Sequence, residues 1–164
     1  MRKIITLLLL TASVTGFSQA YIGKGDMKGQ VGFSTQQYGN GINLTFDQGV
    51  GENISLGLST VYLLNTDASI NGINYDLKFK DRFDLKARFN ANIGNVLQLP
   101  TNMDIYPGLN IGTRNFGAHL GFRYFFTDGF GVYSESSIPI SKYDKNASDF
   151  NNQFVFNIGV SFNL

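Results

Sequence analysis

The residues best suited to do chemistry in this chain are charged side chains set at every second position among other polar residues. Lys86 and Arg88 stand two apart in one segment, and Arg123 lies in another. Carboxylates that could pair with them are Asp47, Asp84, Asp104 and Glu135. In extended strands these side chains would share one face. They predict either a salt-bridge network that plugs a narrow interior or the selectivity lining of a small pore.

The single histidine, His119, lies between Gly117 and Gly121 and is the one candidate for a general base. An acyl hydrolase would need a serine nucleophile beside it and a carboxylate to orient the ring. No G-x-S-x-G motif accompanies it, and a lone histidine is more often a hydrogen-bonded filler. We therefore predict no catalytic residues and no enzymatic activity.

Cofactor and metal motifs are weak throughout the chain. The glycine-rich stretch GKGDMKG lacks the order of a phosphate-binding loop and precedes a strand rather than a helix. The absence of cysteine excludes disulfides and thiolate metal sites. Asp144 and Asp149 do not have the spacing of a calcium loop, and an ordinary polar loop fits them better. We predict no cofactor and no metal.

The elements that must position these side chains are strands, because apolar and polar residues alternate along most of the chain. The last stretch, FVFNIGVSFNL, sets Phe154, Phe156 and Ile158 opposite Val155, Asn157 and Gly159. About eight such segments can be read, at residues 26–37, 42–50, 54–64, 77–91, 103–112, 116–126, 130–138 and 154–164. In the fourth, Asp81 is the charged exception on the apolar face, and we place it at the loop-side end. The connection GNVLQLPTN, at 94–102, is predicted to hold one helical turn.

Alternation alone fits both a soluble sheet, with its apolar face inward, and a membrane barrel, with that face outward. The polar face is rich in Gly, Ser and Asn, which suit the narrow inside of an eight-stranded barrel. Most strands have the nine to twelve residues of a tilted bilayer crossing. The charged fraction is 15%, below the roughly 25% of soluble domains. The prediction is an all-β protein, a single closed antiparallel up-and-down transmembrane β-barrel.

The N-terminus predicts export. Residues 1–20 have a basic start at Arg2 and Lys3, an apolar run from 4 to 10, and small residues before Ala20. This is the pattern of a cleaved signal peptide, and we expect cleavage after Ala20. Residues 21–164 then form one barrel domain. Without Arg2 and Lys3 the formal charge falls from +1 to −1, so nucleic acid is not an expected partner.

The stretches DIYPGLNIG, LGFRYFFTDGFGVYSES and FVFNIGVSFNL resemble small outer-membrane β-barrel proteins of Gram-negative bacteria. With RFDLKARFNANIGNVL added, the chain after Ala20 is similar to one of their domain families of unknown function. The resemblance implies the bacterial outer membrane as location, contact with outer-membrane lipid, and insertion by the outer-membrane assembly machinery. That machinery reads a last strand of this kind, in which Leu164 replaces the usual terminal Phe. The resemblance offers no catalytic residues.

In such a barrel both chain ends lie in the periplasm, and the loops at 65–76 and 139–152 face outward, where they could meet an extracellular partner. Aromatic residues near strand ends would lie at the membrane interfaces: Tyr62, Phe116, Tyr124, Phe126 and Phe130. We expect a monomer. Two functions remain open: a structural or surface-interaction protein with a filled polar lumen, or a narrow pore or transporter for a small or hydrophobic solute.

Overall fold

Eight antiparallel strands form a closed barrel in the computed structural model, which describes residues 19–66, 69–70, 73–74, 78–143 and 150–164. The barrel strands are β1 (Met27–Gln36), β2 (Gly39–Gly49), β3 (Ile54–Thr66), β6 (Phe83–Ala91), β7 (Met103–Gly112), β8 (Asn115–Thr127), β9 (Phe130–Lys142) and β10 (Val155–Asn163). Two short strands, β4 (Ser69–Ile70) and β5 (Ile73–Asn74), pair with each other, and a four-residue helix, α1 (Phe79–Arg82), precedes β6. The predicted all-β, closed, eight-stranded architecture is confirmed.

The sheet closes because β1 pairs with β2 on one side and with β10 on the other. Val31 lies opposite Leu44 of β2 and Val160 of β10. The other barrel strands pair with their neighbours in chain order, so each barrel strand has two partners. Closure removes the unpaired edge that an open sheet would present. The first eighteen residues, most of the predicted signal peptide, lie outside the described residues.

The distribution of side chains is inverted relative to that of a soluble protein, with polar residues inside the barrel and apolar residues outside. Among the described residues, 24 polar or charged residues are buried, against 8 hydrophobic ones, while 31 large hydrophobic residues are exposed. The last strand shows the pattern: Phe154, Ile158 and Phe162 are exposed, whereas Asn157 and Ser161 are buried. The predicted apolar and polar faces of FVFNIGVSFNL are thus confirmed, with the polar face inside the barrel.

The fourth predicted strand is shorter than expected, since its first residues form α1. Pairing of β6 with β3 ends at Phe83 opposite Tyr62, although β3 runs on to Thr66 along its other neighbour, β2. Residues 79–82 do not continue the β6 ladder. Instead the Asp81 carboxylate accepts a hydrogen bond from the Lys78 N–H, at 3.0 Å. The strand prediction is wrong for 78–82, and Asp81 lies in α1 rather than on an outward strand face.

Strand β9, which corresponds to the seventh predicted segment at 130–138, is longer than expected. Alternation continues through Ile138 and Ile140 to Lys142, so residues 139–142 belong to β9 and not to the predicted loop 139–152. Pro139 breaks the apparent pattern because it has no N–H to donate to a ladder. The β8–β9 register shifts between Phe116 and Gly117, where Pro139 pairs with Gly117.

The connections define two ends of the barrel. The terminal end holds residues 19–26, Leu164 and the connections at 50–53, 92–102 and 128–129; the far end holds the others. In the 92–102 connection, Leu97 N–H donates to the Ile93 carbonyl at 3.0 Å, which is the single helical turn that was predicted. Within the described ranges, no helix is long and apolar enough to cross a bilayer.

Candidate functional site

The lumen is the site at which the predicted charged residues meet. Arg88 contacts Asp47 (Nε to Oδ1, 3.2 Å) and Glu135 (Nη2 to Oε2, 2.6 Å). Arg123 contacts the other oxygen of Asp47 at 3.4 Å. We call these four residues, from strands β2, β6, β8 and β9, the central cluster. Each is buried, so the two arginines and two carboxylates neutralise one another away from bulk water.

The remaining predicted charges sit above and below the central cluster. Lys86 pairs with Asp84 at 3.5 Å in the far half of the lumen. Asp104, in the terminal half, accepts a hydrogen bond from the Gly94 N–H at 3.0 Å. The seven charged residues named above as candidates for the interior therefore all point inward, whereas Lys80 and Arg82, on the polar face of the predicted fourth strand, lie in α1.

His119 is held by amides. Its Nε2 lies 2.7 Å from Asn90 Oδ1 and its Nδ1 lies 3.2 Å from Asn110 Nδ2, so the ring hydrogen belongs on Nε2. Arg88 Nη2 is 3.3 Å from the same Nε2. In the described part of the chain, these partners are not the serine and carboxylate of a hydrolase triad.

Two inward tyrosines, which sequence reasoning missed, fill the lumen beside the charges. The Tyr106 ring faces the Arg123 guanidinium, with its centroid 3.9 Å from Cζ, a cation–π contact. Tyr133 donates a hydrogen bond to Asn43 Oδ1 at 2.9 Å. In β7, Tyr106 lies two residues after the inward Asp104, and in β9, Tyr133 lies two residues before the inward Glu135. Alternation therefore places both tyrosines on the lumen face. The same parity that oriented the charges could have identified them.

Glycines opposite long side chains make this filling possible. Gly121 faces Tyr106 in the β7–β8 ladder, and a Cβ on Gly121 would lie 2.0 Å from the tyrosine Cζ. Gly108 leaves space for the His119 ring in the same way, and Gly57 leaves space for the Asp47 carboxylate. Small lumen residues therefore let the side chains of neighbouring strands lie across the barrel.

The terminal end is closed by residues 19–26, which we call the terminal plug. The Tyr21 hydroxyl reaches the carbonyls of Gly51 (3.0 Å) and Ile54 (2.7 Å). Burial and the nearby Asp26 raise the pKa of Tyr21 to about 12, so the hydroxyl keeps the proton that it donates. Asp26 pairs with Lys28 at 2.5 Å, a buried ion pair that sequence reasoning also missed.

The far end is closed by residues 150–152, the far plug. Phe150 is buried against Val61 and Leu63. Asn151 N–H donates to Gln36 Oε1 at 3.0 Å, and the Asn115 side-chain amide donates to the Asn151 carbonyl at 2.8 Å. Backbone and side-chain bonds thus tie the segment to the β1 and β8 ends.

Little space remains between the plugs. A cavity of about 30 Å³ lies beside Lys86, Arg88, His119 and Glu135, room for one or two water molecules. No group of carboxylate and imidazole side chains suited to a metal ion is found within the described ranges. Asp144 and Asp149 lie outside them.

Residues 11–164 match a family of unknown function, DUF6646. The chain belongs to that family. A solved structure similar to this DUF6646 member is the solution NMR structure of Outer Membrane Protein G from Pseudomonas aeruginosa, at 13% identity and a TM-score of 0.49. The likeness covers 88% of this chain and 99% of that one. No curated protein matches the chain significantly.

Proposed function

We propose that this DUF6646 protein is an integral outer-membrane β-barrel of Gram-negative bacteria. It is exported by a cleaved signal peptide and has a non-enzymatic, structural or surface-interaction role. The observation that carries the proposal is the inverted polarity of the barrel, with apolar side chains outside and paired charges inside. In water, such an apolar wall would be a large exposed hydrophobic surface. In lipid, it is the expected surface of a closed barrel.

The dimensions of the wall support a bilayer crossing. The eight barrel strands have 9 to 13 residues, close to the roughly 9–11 residues of a tilted crossing. Aromatic side chains gather at both rims, as Trp and Tyr do at membrane interfaces. At the terminal end, Phe130 stacks on Phe126 with 6.3 Å between ring centroids and packs at a tilt against Phe162 at 5.7 Å. At the far end, Phe79 lies 5.5 Å from Tyr62 and 5.6 Å from Phe83.

The proposed orientation places the terminal end in the periplasm and the far end outside the cell. The outer-membrane assembly machinery would read β10, with Phe162 near its end. Closure of the sheet supports a monomer, since no barrel strand needs a second chain as partner. Recognition by an extracellular partner through 65–76 and 139–152 is part of the same proposal; half of the first segment and six of the fourteen residues of the second lie outside the described residues.

The filled lumen favours the structural or interaction role over the alternative of a narrow pore or transporter. Ion pairs cross the middle, and a plug closes each end. We expect the purified barrel to be electrically silent in a planar bilayer. Steady, ion-selective steps of current would instead establish the pore.

The chain contains no tryptophan, so single-tryptophan variants test the membrane placement directly. Leu58 is outward and 54% exposed at mid-strand, and Glu52 is exposed in the turn before β3. After insertion into vesicles, Leu58→Trp should be quenched by lipids brominated on the acyl chain and shielded from aqueous iodide. Glu52→Trp should show the opposite behaviour. Iodide quenching of Leu58→Trp in a chain that stays monomeric in water without detergent would refute the proposal.

A further inference from the structure

The start of the described chain is part of the barrel. Ala20 is 0% exposed, and its N–H donates to the Thr101 carbonyl at 2.8 Å. Gln19 and Tyr21 line a cavity of about 140 Å³ at the terminal end, together with Leu99 and Thr101 of the 92–102 connection. Two residues that the signal-peptide pattern assigned to the leader therefore pack as the first residues of the terminal plug.

Two neighbouring bonds satisfy the sequence requirement of signal peptidase, which is a small residue at positions −1 and −3. For the bond after Ala20, those positions are Ala20 and Ser18. For the bond after Ser18, they are Ser18 and Gly16. Sequence alone does not separate the two bonds. The contacts of residues 19 and 20 in the folded barrel do not act on the peptidase, but they show which residues the mature chain uses.

Cleavage after Ala20 would remove the buried alanine methyl group and its hydrogen bond to Thr101. It would also create a charged ammonium on Tyr21, inside the plug rather than at its edge. A charge moved into this partly buried position loses hydration, and the carboxylate that lines the same cavity, Asp104, already accepts a hydrogen bond from the Gly94 N–H. Cleavage two residues earlier leaves the buried contacts intact and puts the new ammonium on Gln19, which is exposed.

We propose that the processing site is the Ser18–Gln19 peptide bond and that the mature protein begins at Gln19. Water adds across this bond, leaving the carboxylate on Ser18 of the leader and the amino group on Gln19. The inference rests on the export step of the proposed function. It adds that the terminal plug is built from the newly made N-terminus.

The direct test is the intact mass of the protein extracted from outer membranes of a Gram-negative host that expresses the full precursor. A chain that begins at Gln19 supports the inference. A chain that begins at Tyr21, lighter by one glutamine and one alanine residue, overturns it. An uncleaved chain that begins at Met1 and stays in the cytoplasm would refute export itself, so the two failures can be told apart.

Two matched leucine variants assign the bond independently of barrel folding. Gly16→Leu places a large residue at −3 of the proposed site and outside the −1 and −3 positions of the other bond. Ala20→Leu fills −1 of the other bond and only +2 of the proposed site. We expect precursor to accumulate with Gly16→Leu and normal processing with Ala20→Leu; the reverse pattern overturns the assignment.

A last measurement concerns the plug itself. Chains that begin at Gln19 and at Tyr21 can be made directly and refolded into detergent micelles. The chain from Gln19 should keep its heat-resistant gel mobility to a higher temperature. Equal transition temperatures would remove the structural ground of the inference.

Discussion

Replacing Arg88 by methionine tests whether the central cluster holds the lumen together. Methionine keeps much of the side-chain volume but leaves Glu135 without the arginine 2.6 Å away. Asp47 keeps its contact with Arg123 at 3.4 Å. Removing one partner of a buried ion pair costs about 3–5 kcal/mol, because the other charge stays buried without compensation. We expect the free energy of unfolding to fall by that amount.

The coupling between the two residues is the sharper quantity. Glu135→Gln leaves Arg88 paired with Asp47 at 3.2 Å, so this single change should cost less than Arg88→Met. The double variant removes both charges of the pair. It should therefore be more stable than the sum of the single effects predicts, by at least about 1.5 kcal/mol for charges this close. Lys24→Met, at an exposed position, is the matched control and should change stability by no more than about 0.5 kcal/mol.

Urea unfolding of the barrel in lipid vesicles, followed by far-ultraviolet circular dichroism and by gel mobility, measures the four variants against the unchanged protein. Additive single effects, or a loss below about 1 kcal/mol for Arg88→Met, would contradict the reasoning. Charges that tolerate such changes would be solvated by mobile water, and the lumen would then resemble a pore lining.

Three further substitutions test other parts of the structure. Gly121→Ala should cost about 1–3 kcal/mol, because its Cβ would overlap Tyr106, whereas Gly129→Ala, with no atom within 4 Å, should be near neutral in the same urea assay. Phe150→Ala should lower the free energy of unfolding by about 3–5 kcal/mol, because it opens a cavity against Val61 and Leu63. The control Phe154→Ala, at an outward position, should cost clearly less. Equal losses of stability would mean that Phe150 does not act as a plug. Val96 is 63% exposed beside the terminal rim, so we expect it to contact the membrane interface. The fluorescence of Val96→Trp should then be quenched by lipids brominated near the headgroup. Iodide quenching equal to that of Glu52→Trp would exclude this contact.

The sequence predicted the wall of the barrel well because a strand has a period of two. Once one residue of β6 is known to face inward, Asp84, Lys86, Arg88 and Asn90 follow without further information. Closure also followed, since an exposed edge is unfavourable for a strand in lipid. These features depend only on local alternation and on the number of strands.

The failures come from places where partners distant in sequence decide. Residues 78–82 alternate as a strand would, but the β3–β6 ladder ends at Phe83, and a local carboxylate bond to Lys78 stabilises α1 instead. The polar residues of DFNN, at 149–152, indicate a loop, and nothing in that pattern shows that Phe150 reaches Val61. Asp26 and Lys28 stand at the start of the predicted strand 26–37, but the pattern does not indicate that they pair, and no sequence pattern shows that residues 19–26 fold across the barrel mouth.

The contacts in the lumen bear on the two functions that the sequence left open, a structural or interaction protein with a filled lumen and a narrow pore or transporter. Four of the charges that first appeared able to do chemistry pair with one another, since Asp47 bridges Arg88 and Arg123 while Glu135 contacts Arg88. Glycines in facing positions, such as Gly57 opposite Asp47, leave room for these contacts, as the proposed filled lumen requires. Any specific recognition must then use surfaces that these bonds do not occupy. We propose the β3–β6 and β9–β10 connections for that role, so their deletion, with the central cluster left intact, is the experiment that would reveal a partner.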